Sequence, residues 1–218
     1  MKKTIIGLAA GLILATGAGA SGLLDRWSLR FSPGGMLALD GWYADTVKLN
    51  KVVNIGIGLN GGVRYKINDY VFLDADYAFT WMSVKKNYQP FDYKEEHPAL
   101  NLQVITVNGT FFLSVGYVFK PYVTLGAGVY PWEFSQTPLW GDPWPAPGDP
   151  TLTFSKVSPG LNGGLGLEMH LFSTFSIFAE ARYHYVFTRD PERLGTDDFS
   201  ENDFLGFQIG LVYSFGKK

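Results

Sequence analysis

The chain has 218 residues, 18 Lys+Arg against 20 Asp+Glu and no cysteine. Disulfides and thiolate metal sites are therefore excluded, and no basic excess points to nucleic acid. Aromatic residues make up 16% of the chain, yet nothing after residue 20 is an apolar run long enough for a membrane helix, so a helical membrane protein is excluded as well.

The first twenty residues read as an export signal. Lys2 and Lys3 form a positive start, residues 5–14 an apolar core, and Ala18-Gly19-Ala20 supplies the small residues that a signal peptidase recognises. A membrane anchor would need about 20 apolar residues, and this core is shorter. The expected organisation is a cleavable signal peptide over 1–20 and one domain over 21–218, with no linker or composition break inside it. Removing Lys2 and Lys3 from the 18 basic residues leaves 16 against 20 acidic ones, a mildly acidic mature chain.

Eight strands follow, each with apolar and polar side chains alternating at the period of an extended chain. The first, 27–39, sets Trp27, Leu29 and Phe31 against Ser28, Arg30 and Ser32. Pro33-Gly34-Gly35 interrupts it, and because proline cannot donate to a ladder, a bulge or kink is expected there. Next comes 53–67, with Ile55, Ile57, Leu59, Val63 and Tyr65 opposed to glycines, Asn60, Arg64 and Lys66. The strand over 70–84 opposes Val71, Leu73, Tyr77, Phe79 and Trp81 to Asp74, Asp76 and Thr80, and that over 102–113 opposes Ile105, Val107 and Phe111 to Thr106, Asn108 and Thr110. The fifth begins near Lys120 and carries Val123, Leu125, Ala127 and Val129 between Thr124, Gly126 and Gly128. The sixth, 157–171, places Leu161, Leu165, Leu167 and Met169 opposite Asn162, Gly164, Glu168 and His170. The seventh, 175–187, is the clearest: Phe175, Ile177, Ala179, Ala181, Tyr183, Tyr185 and Phe187 enclose Glu180, Arg182 and His184. Last is 203–215, with Leu205, Phe207, Ile209, Leu211, Tyr213 and Phe215 facing away from Gln208 and Ser214.

Connections after the second, fourth and sixth strands are short, whereas those after the first, third, fifth and seventh run a dozen residues or more. Short turns on one rim and long loops on the other are the periplasmic and extracellular ends of an outer-membrane barrel. A soluble barrel, apolar inside and polar outside, is the rival, and the polar set decides between them. It consists mostly of Gly, Ser, Thr and Asn with isolated charges, which suits a narrow lumen better than a water-facing surface. Trp27, Tyr70, Trp81, Trp132, Phe175, Phe187 and Tyr213, near strand ends, suit aromatic girdles at the two membrane interfaces.

The run Phe119-Lys120-Pro121-Tyr122-Val123-Thr124-Leu125-Gly126-Ala127-Gly128-Val129-Tyr130, the Gly-rich sixth strand and the ending Gly210-Leu211-Val212-Tyr213-Ser214-Phe215 resemble the outer membrane protein beta-barrel domain family, eight-stranded barrels related to OmpA, OmpX and OmpW. The resemblance covers nearly all of the mature chain and is specific for architecture, since such barrels range from structural anchors to adhesins and small-molecule channels. It implies that Tyr213 and Phe215 form the C-terminal assembly signal read by the barrel-assembly machinery, with Gly216-Lys217-Lys218 as a departure that displaces the terminal carboxylate.

Gly56-Ile57-Gly58-Leu59-Asn60-Gly61 matches a dinucleotide-binding spelling, but the following Val63-Arg64-Tyr65-Lys66 continues the strand where a helix would be required. The inward charges say more. Arg30, Arg64, Lys66, Asp74, Asp76, Glu168, Glu180, Arg182 and His184, with His170, share the lumen parity, and poorly hydrated ions must find partners. An interior ion network that fills the barrel and fixes its register is expected, in preference to a conduit. No histidine is placed beside a serine on the lipid face, so no catalytic residue is assigned. Specific function then falls to the loops: the third holds Trp140, Trp144 and five prolines, a stiffened aromatic lid or contact surface, and the fourth, 188–202, is acidic.

The sequence thus predicts an all-β protein, an eight-stranded antiparallel up-and-down transmembrane β-barrel of the bacterial cell outer membrane. Its expected role is structural or surface-interacting, with long extracellular loops and a side-chain-plugged polar lumen. An OmpW-like channel for small molecules, apolar ones included, is the alternative, and a lipid A-modifying enzyme comes third. No cofactor or metal is expected. The expected partners are outer-membrane lipid and lipopolysaccharide, the barrel-assembly machinery and periplasmic chaperones; nucleic acid is not among them, and the barrel is expected to be a monomer.

Overall fold

Strict alternation leaves each predicted segment one greasy face and one polar face, and a sheet of such segments satisfies both only by closing on itself. In the computed structural model, which describes residues 24–44, 47–88, 97–114, 118–136, 142–146, 151–188 and 201–215, it does so. The strands are β1 (Trp27–Asp40), β4 (Gly56–Lys66), β5 (Val71–Ser83), β6 (Ala99–Phe112), β7 (Phe119–Ser135), β8 (Ser155–His170), β9 (Phe175–Phe187) and β10 (Glu201–Ser214). Chain neighbours pair antiparallel, and β1 pairs with β10 to close an eight-stranded barrel. The expected signal peptide over 1–20, Trp140 and most of the fourth loop lie outside the described residues.

Large apolar side chains face outward along the whole wall: Ile209 is 70% exposed and Leu165 66%. A continuous surface of this kind would drive aggregation in water, whereas lipid solvates it. Aromatic pairs bound it at both ends. Trp27 against Tyr65 and Phe175 against Tyr213 lie at the short-turn end, with ring centroids 5.0 and 5.1 Å apart. Phe79 against Trp81 and Tyr185 against Phe187 lie at the long-loop end.

Two expectations need correction. Trp132 is not a girdle residue: its even number on β7 turns it inward, where it is buried and its indole N–H donates to Ser158 Oγ at 3.1 Å. Nor does Pro33 bulge the wall. Pairing with β10 lapses at Ser32 and Pro33 and resumes at Gly34↔Gln208 in unchanged register, while pairing with β4 runs through Pro33↔Leu59. One missing donor is accommodated because the flanking glycines let the strands approach closely; a Cβ on Gly34 would lie 2.7 Å from the Phe207 carbonyl oxygen. The register shift in β1 comes later, between Ala38 and Asp40.

The first long loop carries structure that periodicity does not reveal. Strands β2 (Trp42–Ala44) and β3 (Val47–Lys48) form a small hairpin, followed by a one-turn helix α1 (Leu49–Val52). Gly41, at φ +110°, makes the entry turn in a conformation that side chains resist. Lys48 Nζ donates to both carboxylate oxygens of Asp40 at 2.9 and 3.1 Å and holds that carboxyl below its usual range. Leu49, Val52 and Val53 then enter the barrel mouth and join an apolar cluster with Met36, Met82, Leu100, Leu102, Phe134, Phe154, Val186 and Phe204. The interior therefore changes character along its axis, with charge in the middle and towards the short turns and an apolar plug beneath the long loops.

Candidate functional site

Every strand of the barrel contributes to the charged part of the lumen. Arg64 and Asp74 stand directly opposite on β4 and β5, and the guanidinium grips the carboxylate twice, Nε to Oδ1 at 2.7 Å and Nη2 to Oδ2 at 3.0 Å. Across the lumen, Arg64 Nη1 reaches Glu168 of β8 at 2.8 Å. Arg30 of β1 bridges Asp74 at 3.1 Å and Glu180 of β9 at 3.2 Å, with Asp76 at 3.7 Å. Arg182 joins Glu180 at 2.7 Å and Asp76 at 3.0 Å. The remaining acceptor capacity is taken by neutral donors: Thr110 of β6 to Asp74, Asn108 of β6 to Asp76, Tyr122 of β7 to Glu180 at 2.9 Å and Gln208 of β10 to Glu180 at 2.6 Å.

Burial explains why so many donors converge. Arg64, Asp74 and Glu180 are almost fully enclosed, and an ion in such surroundings is tolerable only when its hydration is replaced group by group. Aromatic faces complete the packing, with the Arg30 guanidinium 4.4 Å from the Phe178 ring centroid and the Arg64 guanidinium 5.4 Å from that of Phe72. Gly166 is part of the arrangement, since a Cβ there would lie 2.1 Å from Tyr122 Cζ and push the ring off Glu180.

Seven of the inward charges named from parity meet in this network: Arg30, Arg64, Asp74, Asp76, Glu168, Glu180 and Arg182. Two do not. Lys66 lies at the short-turn mouth and pairs with Asp69 of the adjoining turn. His184 sits above the ions, its Nδ1 3.1 Å from Tyr130 Oη. Tyr122, Asn108, Thr110 and Gln208 were missed as members, although their even numbers on inward-facing registers were the available signal.

Cavities flank the network. One of about 290 Å³ opens at the short-turn end, lined by Lys66, Asp69, Lys120, Glu168 and His170. Another, of about 50 Å³, lies between the ions and the apolar plug beside Asn60, Asp76, Arg182, His184 and Gln208, room for about three to five water molecules. In the lower cavity His170 Nδ1 is hydrogen-bonded to Ser176 Oγ, Glu168 Oε1 stands 3.9 Å from the same nitrogen, and Nε2 contacts Lys120 Nζ at 2.7 Å. A nucleophilic triad needs serine and carboxylate on opposite ring nitrogens, and here they share one.

Of the loop aromatics, Trp144 is described and is not displayed. It is buried in the plug, stacked on Phe134 at 5.9 Å with an interplanar angle of 18°, while Phe154 stacks on the same ring at 4.6 Å. Backbone bonds from Trp144 N to Phe134 O and from Phe154 N to Trp144 O fasten the segment. Of the lid and contact roles expected for this loop, the buried position of Trp144 fits the lid, because its indole buries apolar area in the barrel mouth. Tyr213 and Phe215 pack edge to face at the short-turn end, and Phe215 N–H donates to Trp27 O at 3.1 Å.

The model of the outer membrane protein beta-barrel domain matches residues 6–215. The chain belongs to this family. It is an outer-membrane protein. Among solved structures, Neisserial surface protein A (NspA) superposes with a TM-score of 0.59 at 16% identity, covering 87% of this chain and 97% of that one. Ail, the attachment invasion locus protein of Yersinia pestis, solved in complex with the heparin analogue sucrose octasulfate, gives a TM-score of 0.52 at 18% identity, covering 87% and 98%. At these identities the likeness is one of fold. A sequence comparison with curated proteins finds no match.

Proposed function

We propose that the protein is a closed, non-catalytic barrel that displays its extracellular end for surface interaction and contributes to the structure of the outer membrane. The observation that carries this reading is the double occlusion of the lumen, by the all-strand ion network at mid-height and by the apolar plug above it. Outer-membrane lipid and lipopolysaccharide are the proposed surroundings, with barrel-assembly machinery and periplasmic chaperones as partners on the way there and a monomer as the final state. The fold shared with Neisserial surface protein A and with Ail supports a surface role. Purified barrel in a planar bilayer should give no ion conductance above that of the lipid. Stable open channels in the native protein would overturn the reading.

An OmpW-like channel for small apolar molecules draws support from one pair of observations. The buried cluster in the extracellular half of the interior is apolar, and Gly34, Gly35, Phe207 and Gln208 line both the lumen cavity and an apolar furrow on the lipid side, a thin wall beside the lapse at Pro33. Flux of a small apolar probe into vesicles containing the protein separates the two readings. Transport without ion conductance would favour this second one.

A further inference from the structure

Among the described residues, acids and bases gather on different arcs of the extracellular rim. Over β9, β10 and β1 stand Glu201, Asp203 and Asp40, with Asp40 and Asp203 directly opposite and Asp40 paired with Lys48. Over β4, β5 and β6, three separate chain segments bring Lys51, Lys85, Lys86 and His97 onto one arc. Lys85 N–H donates to Val52 O at 2.7 Å and its Nζ to Asn50 O at 3.0 Å, which fixes it against the end of α1 where Lys51 stands. Lys86 follows in a single 3-10 turn, Lys86–Tyr88, and Val84 N–H donates to Pro98 O at 2.8 Å, which seats His97 next to them. Lys51, Lys86 and His97 are exposed. No carboxylate stands on this arc among the described residues.

Height along the barrel decides what such an arc meets. The outward apolar surface on these strands ends at Ile55, 67% exposed, and at the cross-strand pair Ile57↔Trp81. Asn54 N–H bonds Ser83 O, and Val53 bridges Val84 immediately beyond. Trp81 belongs to the interfacial girdle, so the cations sit one step above the hydrocarbon, at the level of the headgroups.

We propose that Lys51, Lys85 and Lys86, flanked by His97, form a direct binding site for the phosphorylated sugar headgroup of a lipid A molecule in the surrounding outer leaflet. The proposal rests on the surface-barrel reading and names that surface's lipid partner. Because the contact is ammonium to phosphate, it needs no bridging divalent cation, unlike any contact made by the acidic arc opposite. Lys85 is committed to α1, so Lys51 and Lys86 are the residues to vary.

The test uses full-length barrel in phosphatidylcholine nanodiscs doped with diphosphoryl lipid A, with EDTA present, and reads retained lipid by native mass spectrometry. The native protein should retain lipid A. Lys51→Gln/Lys86→Gln should weaken retention roughly 25-fold, about fivefold for each lysine lost beside an anionic surface, and Arg26→Gln at the periplasmic end should retain it normally. Unchanged heat-modifiable gel migration of the double variant verifies folding. The proposal is overturned by equal retention in the double variant, by equal binding of dephosphorylated lipid A, by equal binding of phosphatidylglycerol, which would make the arc a general anion surface, or by retention in the native protein only when EDTA is left out. Ion conductance recorded on the same double variant reports separately on the lumen, so failure of the lipid site and failure of the closed-barrel reading are distinguishable.

Discussion

Glu180 receives four donors from four different strands, and this sets how its removal is felt. Glu180→Ala leaves the Arg182 Nε and Arg30 Nη2 protons facing an apolar methyl at a buried site, and breaking a buried ion pair in this one-sided way costs about 3 to 5 kcal/mol. Asp40, paired with Lys48 but about half exposed, is the contrasting case: Asp40→Asn should change stability by about 0 to 1 kcal/mol, because water replaces what the lysine gave. Urea unfolding of the refolded barrels checks both, and equal losses would mean that the lumen is far wetter than its packing indicates.

At the level of the strand, parity was the most legible property of the sequence, and it located the inward carboxylates before any contact was known. It also has a sharp consequence. Ile209→Lys or Leu211→Lys places an ammonium against lipid at about 2 to 4 kcal/mol near the midplane, whereas Gln208→Lys points into the lumen beside Glu180, so folding yield on reconstitution should fall far more for the first two. Greater damage from the substitution at 208 would reverse the inside and outside faces. Where the reading went astray, the cause was local. Trp132 was assigned from its residue type when its number already placed it inside. Pro33 was read as a bulge because a missing N–H was weighed without the neighbouring glycines. The helix α1 is a single turn and carries no period at all, so the descent of Leu49 and Val52 into the mouth follows from tertiary packing alone. For the ion network, parity supplied the membership of one face, but not the pairing of Arg30 with both Asp74 and Glu180, which depends on how far the strands are staggered around the wall.

Closure governs the molecule as a whole. With β1 bonded to β10 no strand of the wall has a free edge, and the ladder runs around the barrel with short lapses only at Ser32 and Pro33 and at the Tyr130–Pro131 stretch of β7, so detergent gains little by intruding. Unboiled protein should run differently from boiled protein on a detergent gel. Identical migration would contradict a closed barrel. The stack of Phe154, Phe134 and Trp144 has a further effect at this scale, one that concerns recognition. Because that stack and its backbone bonds root the third loop in the apolar plug, the chain on either side of it leaves the rim from fixed points. A ligand or antibody that engages this rim meets anchors ordered when the barrel folded, and little conformational entropy is lost there on contact. Binding to that part of the surface should therefore resemble lock and key, with dissociation rates rather than encounter rates separating good partners from poor ones.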